Sequence, residues 1–174
     1  MLSIKVKKRR AAPGTITEET TMENIYDKLA ELGIALPTPP AAVGMYAPSL
    51  AFAGNLVYTS GCLPHVNGEV KYQGKLGDLT LEEGQEAARN CTLNALAILH
   101  RDLGDLNRIK RIVKLTCFVA GREDFYLQPK VANGASELLV EIFGEAKGLS
   151  TRSAVGVNAL PGNVPVEIEF LVEI

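Results

Sequence analysis

The sequence lacks a long apolar run, a metal-binding motif and a cysteine pattern that would indicate disulfides. No hydrophobic stretch approaches the ~20 residues that a helix needs to cross a bilayer, which predicts a soluble protein. Two histidines and the cysteines Cys62, Cys91 and Cys117 fit no metal-ligand spacing, so we expect no metal ion. An odd number of cysteines outside any such motif is typical of a reducing compartment, which predicts a cytoplasmic protein.

Basic charge is scarce outside the first ten residues. Those ten hold five of the 18 basic side chains, whereas residues 23–174 hold 13 basic against 18 acidic ones, a net charge of −5. A body of that sign is a poor partner for phosphates, so no nucleic-acid partner is expected. No apolar segment of a secretory signal follows the basic leader, and Glu18 and Glu19 make it a weak candidate for mitochondrial import. We interpret residues 1–22 as a disordered leader or extension and residues 23–174 as a single domain.

The first part of this domain combines a short helix, a connector and short strands. Residues 22–33 carry apolar side chains at helical spacing and end at Gly33, which predicts a helix. Residues 36–49 contain four prolines and predict an extended connector. Gly54-Asn55 is typical of a hairpin turn between two strands, and a third strand is expected at residues 69–74.

The second part alternates long helices with strands. A helix is expected from Thr80, where Glu83 completes a capping box, to Gly104. A second helix is expected over residues 124–144, with Pro129 in its first turn. Three strands are expected at residues 109–120, 152–158 and 164–172. This order indicates an α+β fold in which a mixed sheet carries both long helices on one face.

Several side chains are candidates for chemistry, and each has a plainer interpretation. Arg152 stands at the mouth of an apolar strand, either as a solvated charge or as a guanidinium that grips a carboxylate. Glu167 and Glu169 share one strand face, either as its polar half or with one of them orienting a water in a cleft. Cys62 and His65 are compatible with a thiolate nucleophile, but their spacing gives no assurance of contact.

Four stretches resemble one known family in order along the chain. They are "GMYAPSLAFAGNLVYTSGCLP", "GDLNRIKRIVKLTCFVAGREDF", "ANGASELLVEIFG" and "TRSAVGVNALPGNVPVEIEF". Together they resemble the Rid family, the reactive-intermediate deaminases also called YjgF or endoribonuclease L-PSP proteins. The resemblance spans residues 40–174, and the last stretch is the most specific.

The resemblance implies a fold, an assembly and an activity. The fold is the chorismate-mutase-like α+β fold, assembled as a homotrimer around a central barrel with small-molecule clefts between subunits. The activity is hydrolytic deamination of 2-imino or enamine acids to 2-keto acids and ammonia, without a cofactor. The expected partner is therefore a small carboxylate, a 2-imino or 2-keto acid.

The resemblance also implies roles for particular residues. Arg152 matches the arginine that holds the substrate carboxylate, and Glu167 matches the glutamate that orients a water. Four further residues are expected to bind substrate at the cleft, namely Tyr46, Gly61, Cys62 and Asn133.

Two positions depart from the family pattern and keep a second function open. Cys62 stands where glutamine is usual, and Ala154 stands where cysteine is usual. The alternative is a regulatory trimer that binds small carboxylates without hydrolysing them. Ribonuclease activity, to which the family's older name points, fits poorly with the net charge of −5 on residues 23–174.

Overall fold

The computed structural model describes residues 24–42 and 44–174, so the predicted leader lies outside the described residues. The helices are α1 (Ile25–Glu31), α2 (Leu81–Leu103), α3 (Gln128–Val131), α4 (Asn133–Phe143) and α5 (Glu145–Gly148). The strands are β1 (Ser49–Phe52), β2 (Leu56–Thr59), β3 (His65–Val66), β4 (Glu69–Val70), β5 (Arg111–Ala120), β6 (Thr151–Val157) and β7 (Val166–Glu173). No helix of the described part combines the length and apolarity needed to span a membrane.

The ends of α2 follow from its terminal residues. The backbone N–H of Glu83 donates to Thr80 Oγ1 at 3.2 Å, and the N–H of Thr80 donates to Glu83 Oε2 at 2.8 Å. Gly104 ends the helix in the left-handed region at φ 77°, and its N–H donates to the carbonyl of His100. The predicted capping box and glycine stop are therefore confirmed.

Five strands form one mixed sheet in the order β1-β2-β7-β5-β6. The pair β5 and β6 is parallel, and the other neighbouring pairs are antiparallel. The predicted α+β fold with a mixed sheet is confirmed. β7 lies at the centre, and β1 and β6 lie at the two edges.

The two faces of the sheet differ along β7. Alternate side chains of this strand are buried against α2, and they are Val166, Ile168, Phe170 and Val172. The intervening side chains Glu167, Glu169 and Leu171 stay partly exposed on the other face, which we call the open face. α2 also packs against α4, so the core lies between this helix pair and the sheet.

Two predicted elements differ in the structure. The strand expected at 69–74 is reduced to β4, which pairs with β3 as a separate hairpin because the turn at Asn67 and Gly68 has positive φ at both residues. The helix expected at 124–144 begins at Gln128 and is interrupted at Ala132 between α3 and α4. The residues before it form a tight turn, in which the Phe125 N–H donates to the carbonyl of Arg122.

Candidate functional site

A bulge in the pairing of β2 with β7 builds one part of the site. Tyr58 stands opposite Leu171, but the next paired residue on that side, Cys62, stands opposite Ile168. Three residues of one segment therefore oppose two of the other. An extra residue of this kind bends its strand and re-aims the backbone, here around Gly61.

Hydrogen bonds hold the bulge on both sides. The hydroxyl of buried Thr59 accepts a bond of 2.9 Å from the N–H of Phe170, which would otherwise lose its partner in the ladder. Beyond the bulge, the Cys62 N–H donates to the carbonyl of Ile168 at 2.7 Å, and the Ile168 N–H donates back at 3.1 Å. The segment around Gly61 is thus fixed relative to β7.

Glu167 lies directly over the backbone of Gly61. A Cβ atom at Gly61 would overlap the Glu167 carboxylate, so this close approach requires glycine. Burial raises the pKa of the Glu167 carboxyl, and the neighbouring charge of Glu169 raises it further. Glu169 in turn accepts a hydrogen bond of 2.6 Å from the Tyr58 hydroxyl, whose pKa it raises to about 12. Glu167 is therefore a base of raised pKa held against a fixed backbone.

A cavity of about 340 Å³ opens beside this pair. Its lining comprises Gly44, Tyr46, Ser60, Gly61, Leu63, Pro161 and Glu167. The structure thus brings together Tyr46, Gly61 and Glu167, which the sequence resemblance had assigned to one cleft. We call the bulge, Glu167 and this cavity the glutamate half-site.

Arg152 belongs to a second cluster at the β6 edge of the sheet. It stands opposite buried Leu115 of β5, so its side chain lies on the helix-covered face. Its Nη1 donates to Asn133 Oδ1 at 2.9 Å and to Ser136 Oγ at 3.0 Å, both on α4. Among the described residues no carboxylate forms an ion pair with Arg152. We call Arg152, Asn133 and Ser136 the arginine half-site.

A single chain does not bring the two half-sites together. β5 lies between β6 and β7, so Arg152 is two strand spacings, about 10 Å, from the strand of Glu167. The two side chains also lie on opposite faces of the sheet. Within one chain, the two half-sites therefore do not face a common small ligand.

Cys62 lies behind the glutamate half-site rather than in its open cavity. Its side chain is 3% exposed, and the thiol donates to the carbonyl of Ser60 at 3.6 Å. Burial raises the pKa of the thiol to about 12, and the charge of Glu167 adds to the effect. No hydrogen bond joins Cys62 to His65 within the described residues, so the geometry does not support a thiolate nucleophile.

Sequence patterns did not indicate several residues of the site. Ser136 holds the guanidinium of Arg152 but carries no motif signal, since a serine in a helix is common. The buried amide of Asn94 donates to the carbonyls of Leu63 and His65 at 2.9 Å each, and so fixes the loop after the bulge.

In the described part of the chain, no group of three or more histidine, cysteine or acidic side chains is placed to hold a metal ion.

A family model, protein sequences and solved structures all match this chain to related proteins. A family model described as "YjgF/chorismate_mutase-like, putative endoribonuclease" matches residues 26–172. Protein TCP17 of Trypanosoma cruzi is 44% identical over 147 residues, which cover 84% of this chain and 91% of that protein. The crystal structure of Atu1372 from Agrobacterium tumefaciens, of unknown function, is 41% identical with a TM-score of 0.79 and covers 86% of this chain and 92% of that one. The structure of E. coli TdcF with bound serine is 26% identical with a TM-score of 0.58, over 79% of this chain and 94% of that one.

Proposed function

The chain belongs to the YjgF/chorismate-mutase-like family, and we propose that it hydrolyses 2-imino and enamine acids to 2-keto acids and ammonia in a cleft between copies of the chain. The observation that carries this proposal is the division of the site into two complementary halves. One half holds an arginine without an acidic partner among the described residues, and the other holds a glutamate of raised pKa. A 2-imino acid has a carboxylate for the first half and a C=N carbon for the second.

The arginine half-site supplies the grip on the carboxylate. Asn133 and Ser136 accept from the same nitrogen of Arg152 and so fix the plane of the guanidinium. The other N–H groups of Arg152 remain available to a carboxylate as a planar fork, which a lysine does not offer.

The glutamate half-site supplies the base. An enamine acid takes a proton from the solvent at C3 and so reaches the same protonated imine as a 2-imino acid. Glu167 takes a proton from a water while the water oxygen bonds to C2 and the C=N electron pair moves to the nitrogen, which becomes a neutral amine. The proton passes from Glu167 to that nitrogen. The C–N bond then breaks as the C2 hydroxyl gives its proton back to Glu167 and becomes the carbonyl of a 2-keto acid, and the ammonia takes this proton and leaves as ammonium. A carboxylate whose pKa is raised toward neutral pH is a stronger base for this step.

The proposed assembly is a homotrimer in which the β6 edge of each copy meets the open face of the next copy, on which Glu167 lies. Val155 is exposed on β6, and the ring of Tyr58 is exposed on the open face beside Glu169. Two different surfaces of one chain suit a head-to-tail contact, which closes into a ring when the rotation permits. Such a contact brings Arg152 on the β6 edge of one copy toward Glu167 of its neighbour. Light scattering after size exclusion tests the trimer directly.

The activity is tested by generating 2-aminoacrylate with a pyridoxal-phosphate enzyme and following pyruvate. Wild-type protein should accelerate pyruvate release, and Arg152→Ala and Glu167→Ala should not. Absence of acceleration by the wild-type protein contradicts the deaminase function.

A mixing experiment tests whether the two halves come from different copies. Co-expressed Arg152→Ala and Glu167→Ala chains should regain activity, because about a quarter of the interfaces in a random mixture pair an intact arginine with an intact glutamate. If both residues served the same site from one chain, the mixture would stay as inactive as the single variants.

A second function, binding of small carboxylates without hydrolysis, has one observation in its favour. TdcF, a relative of this chain, was crystallised with serine, a small molecule that carries a carboxylate. Calorimetry with 2-keto acids separates the two functions, since binding that depends on Arg152 without turnover supports the second. Incubation of the purified protein with RNA tests the endoribonuclease activity named in the family description.

A further inference from the structure

A second, smaller cavity lies behind the glutamate half-site. It has a volume of about 60 Å³ and shares Tyr46, Ser60, Gly61 and Leu63 with the cavity that Glu167 lines. Its remaining wall is mainly apolar and comprises Pro40, Ala41, Ala42, Pro48 and Ile98, with the thiol of Cys62 and the side chain of His65. The side chain of a substrate that is bound beside Glu167 would therefore lie next to this smaller cavity.

The far wall of this cavity belongs to an arm formed by residues 24–42. The N–H of Ile25 donates to Asn107 Oδ1 at 2.9 Å, at the start of α1. The hydroxyl of Tyr26 accepts from the N–H of Leu106 at 2.9 Å and lies 3.0 Å from His100 Nδ1. These bonds tie the start of the arm to α2 and to the turn after it, and Leu36 packs against the core shortly before the prolines and alanines of the wall.

Two polar groups of the wall are already engaged. The Ser60 hydroxyl donates to the carbonyl of Ala47 at 2.7 Å, and the Cys62 thiol donates to the carbonyl of Ser60. Burial raises the pKa of Cys62 to about 12, so the sulfur stays uncharged at neutral pH. His65 lines both this cavity and a larger neighbouring one. The interior next to Ile98 therefore favours hydrocarbon over a charged group.

The volume limits what fits. An apolar protein cavity of about 150 Å³ holds one benzene molecule, which has six carbon atoms. By proportion, 60 Å³ holds about two or three carbon atoms. We propose that this cavity receives the side chain of the substrate and selects 2-imino acids with an unbranched apolar side chain of two or three carbons. This inference rests on the proposed deaminase function.

The test compares 2-imino acids that differ in their side chains. An L-amino-acid oxidase with catalase generates them from alanine, 2-aminobutyrate, norvaline, leucine and phenylalanine, and the rate of 2-keto acid release is followed. We expect kcat/KM to rise about fourfold for each added methylene from alanine to norvaline. It should fall again for leucine and phenylalanine, because their branched or aromatic side chains exceed the cavity.

Substitution of buried Ile98 tests the wall directly. Ile98→Phe should lower kcat/KM for the norvaline-derived imine by about tenfold or more and leave the alanine-derived one nearly unchanged. Ile98→Val, a milder change that keeps the fold, should raise kcat/KM for the leucine-derived imine. Ile142→Phe overpacks a buried isoleucine of α4 that lines neither cavity, and it should leave the order of substrates as it is.

The failures of the two proposals are distinguishable. If every imine is hydrolysed at a similar rate, or if Ile98→Phe lowers all rates equally, the side-chain cavity is wrong and the deaminase function stands. If no imine is hydrolysed faster than in buffer, the deaminase function is wrong. Calorimetry with pyruvate, 2-oxobutanoate and 2-oxopentanoate then decides the cavity, since weaker or equal binding of the longer acids overturns it.

Discussion

The arginine and glutamate half-sites lie two strands apart in one sheet, and they are built in different ways. The arginine half-site is a side chain on an edge strand, held by two side chains of α4. The glutamate half-site depends on the shape of the backbone, because a bulge lets Gly61 pass beneath a carboxylate. The first contributes a guanidinium that binds a carboxylate, and the second contributes a base whose position depends on the backbone at Gly61. They should therefore fail in different ways when they are changed.

Arg152→Ala should have the largest effect, because it removes the charge and the fork together. Each charged hydrogen bond is worth roughly 1.5–3 kcal/mol, so the loss of two predicts about a 10²- to 10⁴-fold fall in kcat/KM. Arg152→Lys keeps the charge without the fork and should recover a small part of the activity. Steady-state kinetics with the 2-aminoacrylate assay measures both. Equal activity of the lysine variant and the wild type would contradict a bidentate grip.

Gly61→Ala should come next, through displacement of a base rather than loss of a charge. The added methyl group overlaps the Glu167 carboxylate, and a misplacement of about 1 Å costs about 10²-fold in rate. The fall should appear in kcat, whereas binding of a 2-keto acid at Arg152 should persist in calorimetry.

Gly44→Ala is the matched control for that prediction. It adds a methyl group in the same cavity, but this one meets the Tyr46 ring at 3.4 Å, an ordinary contact distance. Equal losses from Gly44→Ala and Gly61→Ala would mean that the cavity, and not the position of Glu167, limits the rate.

Features set by one strand alone were predicted from the sequence, whereas features set by the pairing of distant strands were not. The alternation along residues 164–172 correctly placed Glu167 on the face opposite the buried side chains, because one strand's own period sets its faces. The bulge at Gly61 depends on the register between β2 and β7, which lie over 100 residues apart, and no local pattern encodes that register. The bond from Phe170 to the Thr59 hydroxyl follows from the bulge and was equally hidden.

The sequence also predicted the helix that carries Asn133 and Ser136 only in part. Its apolar spacing predicted a helix over 124–144, but the turn at Arg122–Phe125 delays its start to Gln128. Asn133 was assigned through a motif, whereas Ser136 was found only when the helix and β6 were placed side by side. Residues that act through a neighbour leave no spacing signal of their own.

Ser136→Ala should have a smaller effect within the arginine half-site. Asn133 still holds the same nitrogen of Arg152, so one of two bonds is lost and kcat/KM should fall about threefold to tenfold. The loss should appear mainly in KM, because the positioned guanidinium binds the ground-state carboxylate. Ser153→Ala is the control, since Ser153 follows Arg152 but accepts from Lys114 instead. An unchanged KM for Ser136→Ala would assign Ser136 a packing role only.

Glu169→Gln should have the smallest effect, and it probes the glutamate half-site through charge alone. Burial is the larger cause of the raised pKa of Glu167, and the charge of Glu169 is the smaller one. The active base is the ionised form of Glu167, so activity is present above its pKa and is lost as the pH falls through it. Removing the charge of Glu169 lowers that pKa, and the acidic limb of the kcat/KM profile should move to lower pH.

Glu173→Gln is the control. Glu173 lies further along the same strand face, where its carboxylate pairs with Arg111, so its substitution should leave the limb in place. A limb that does not move in Glu169→Gln would mean that a group other than Glu167 titrates in the rate-limiting step.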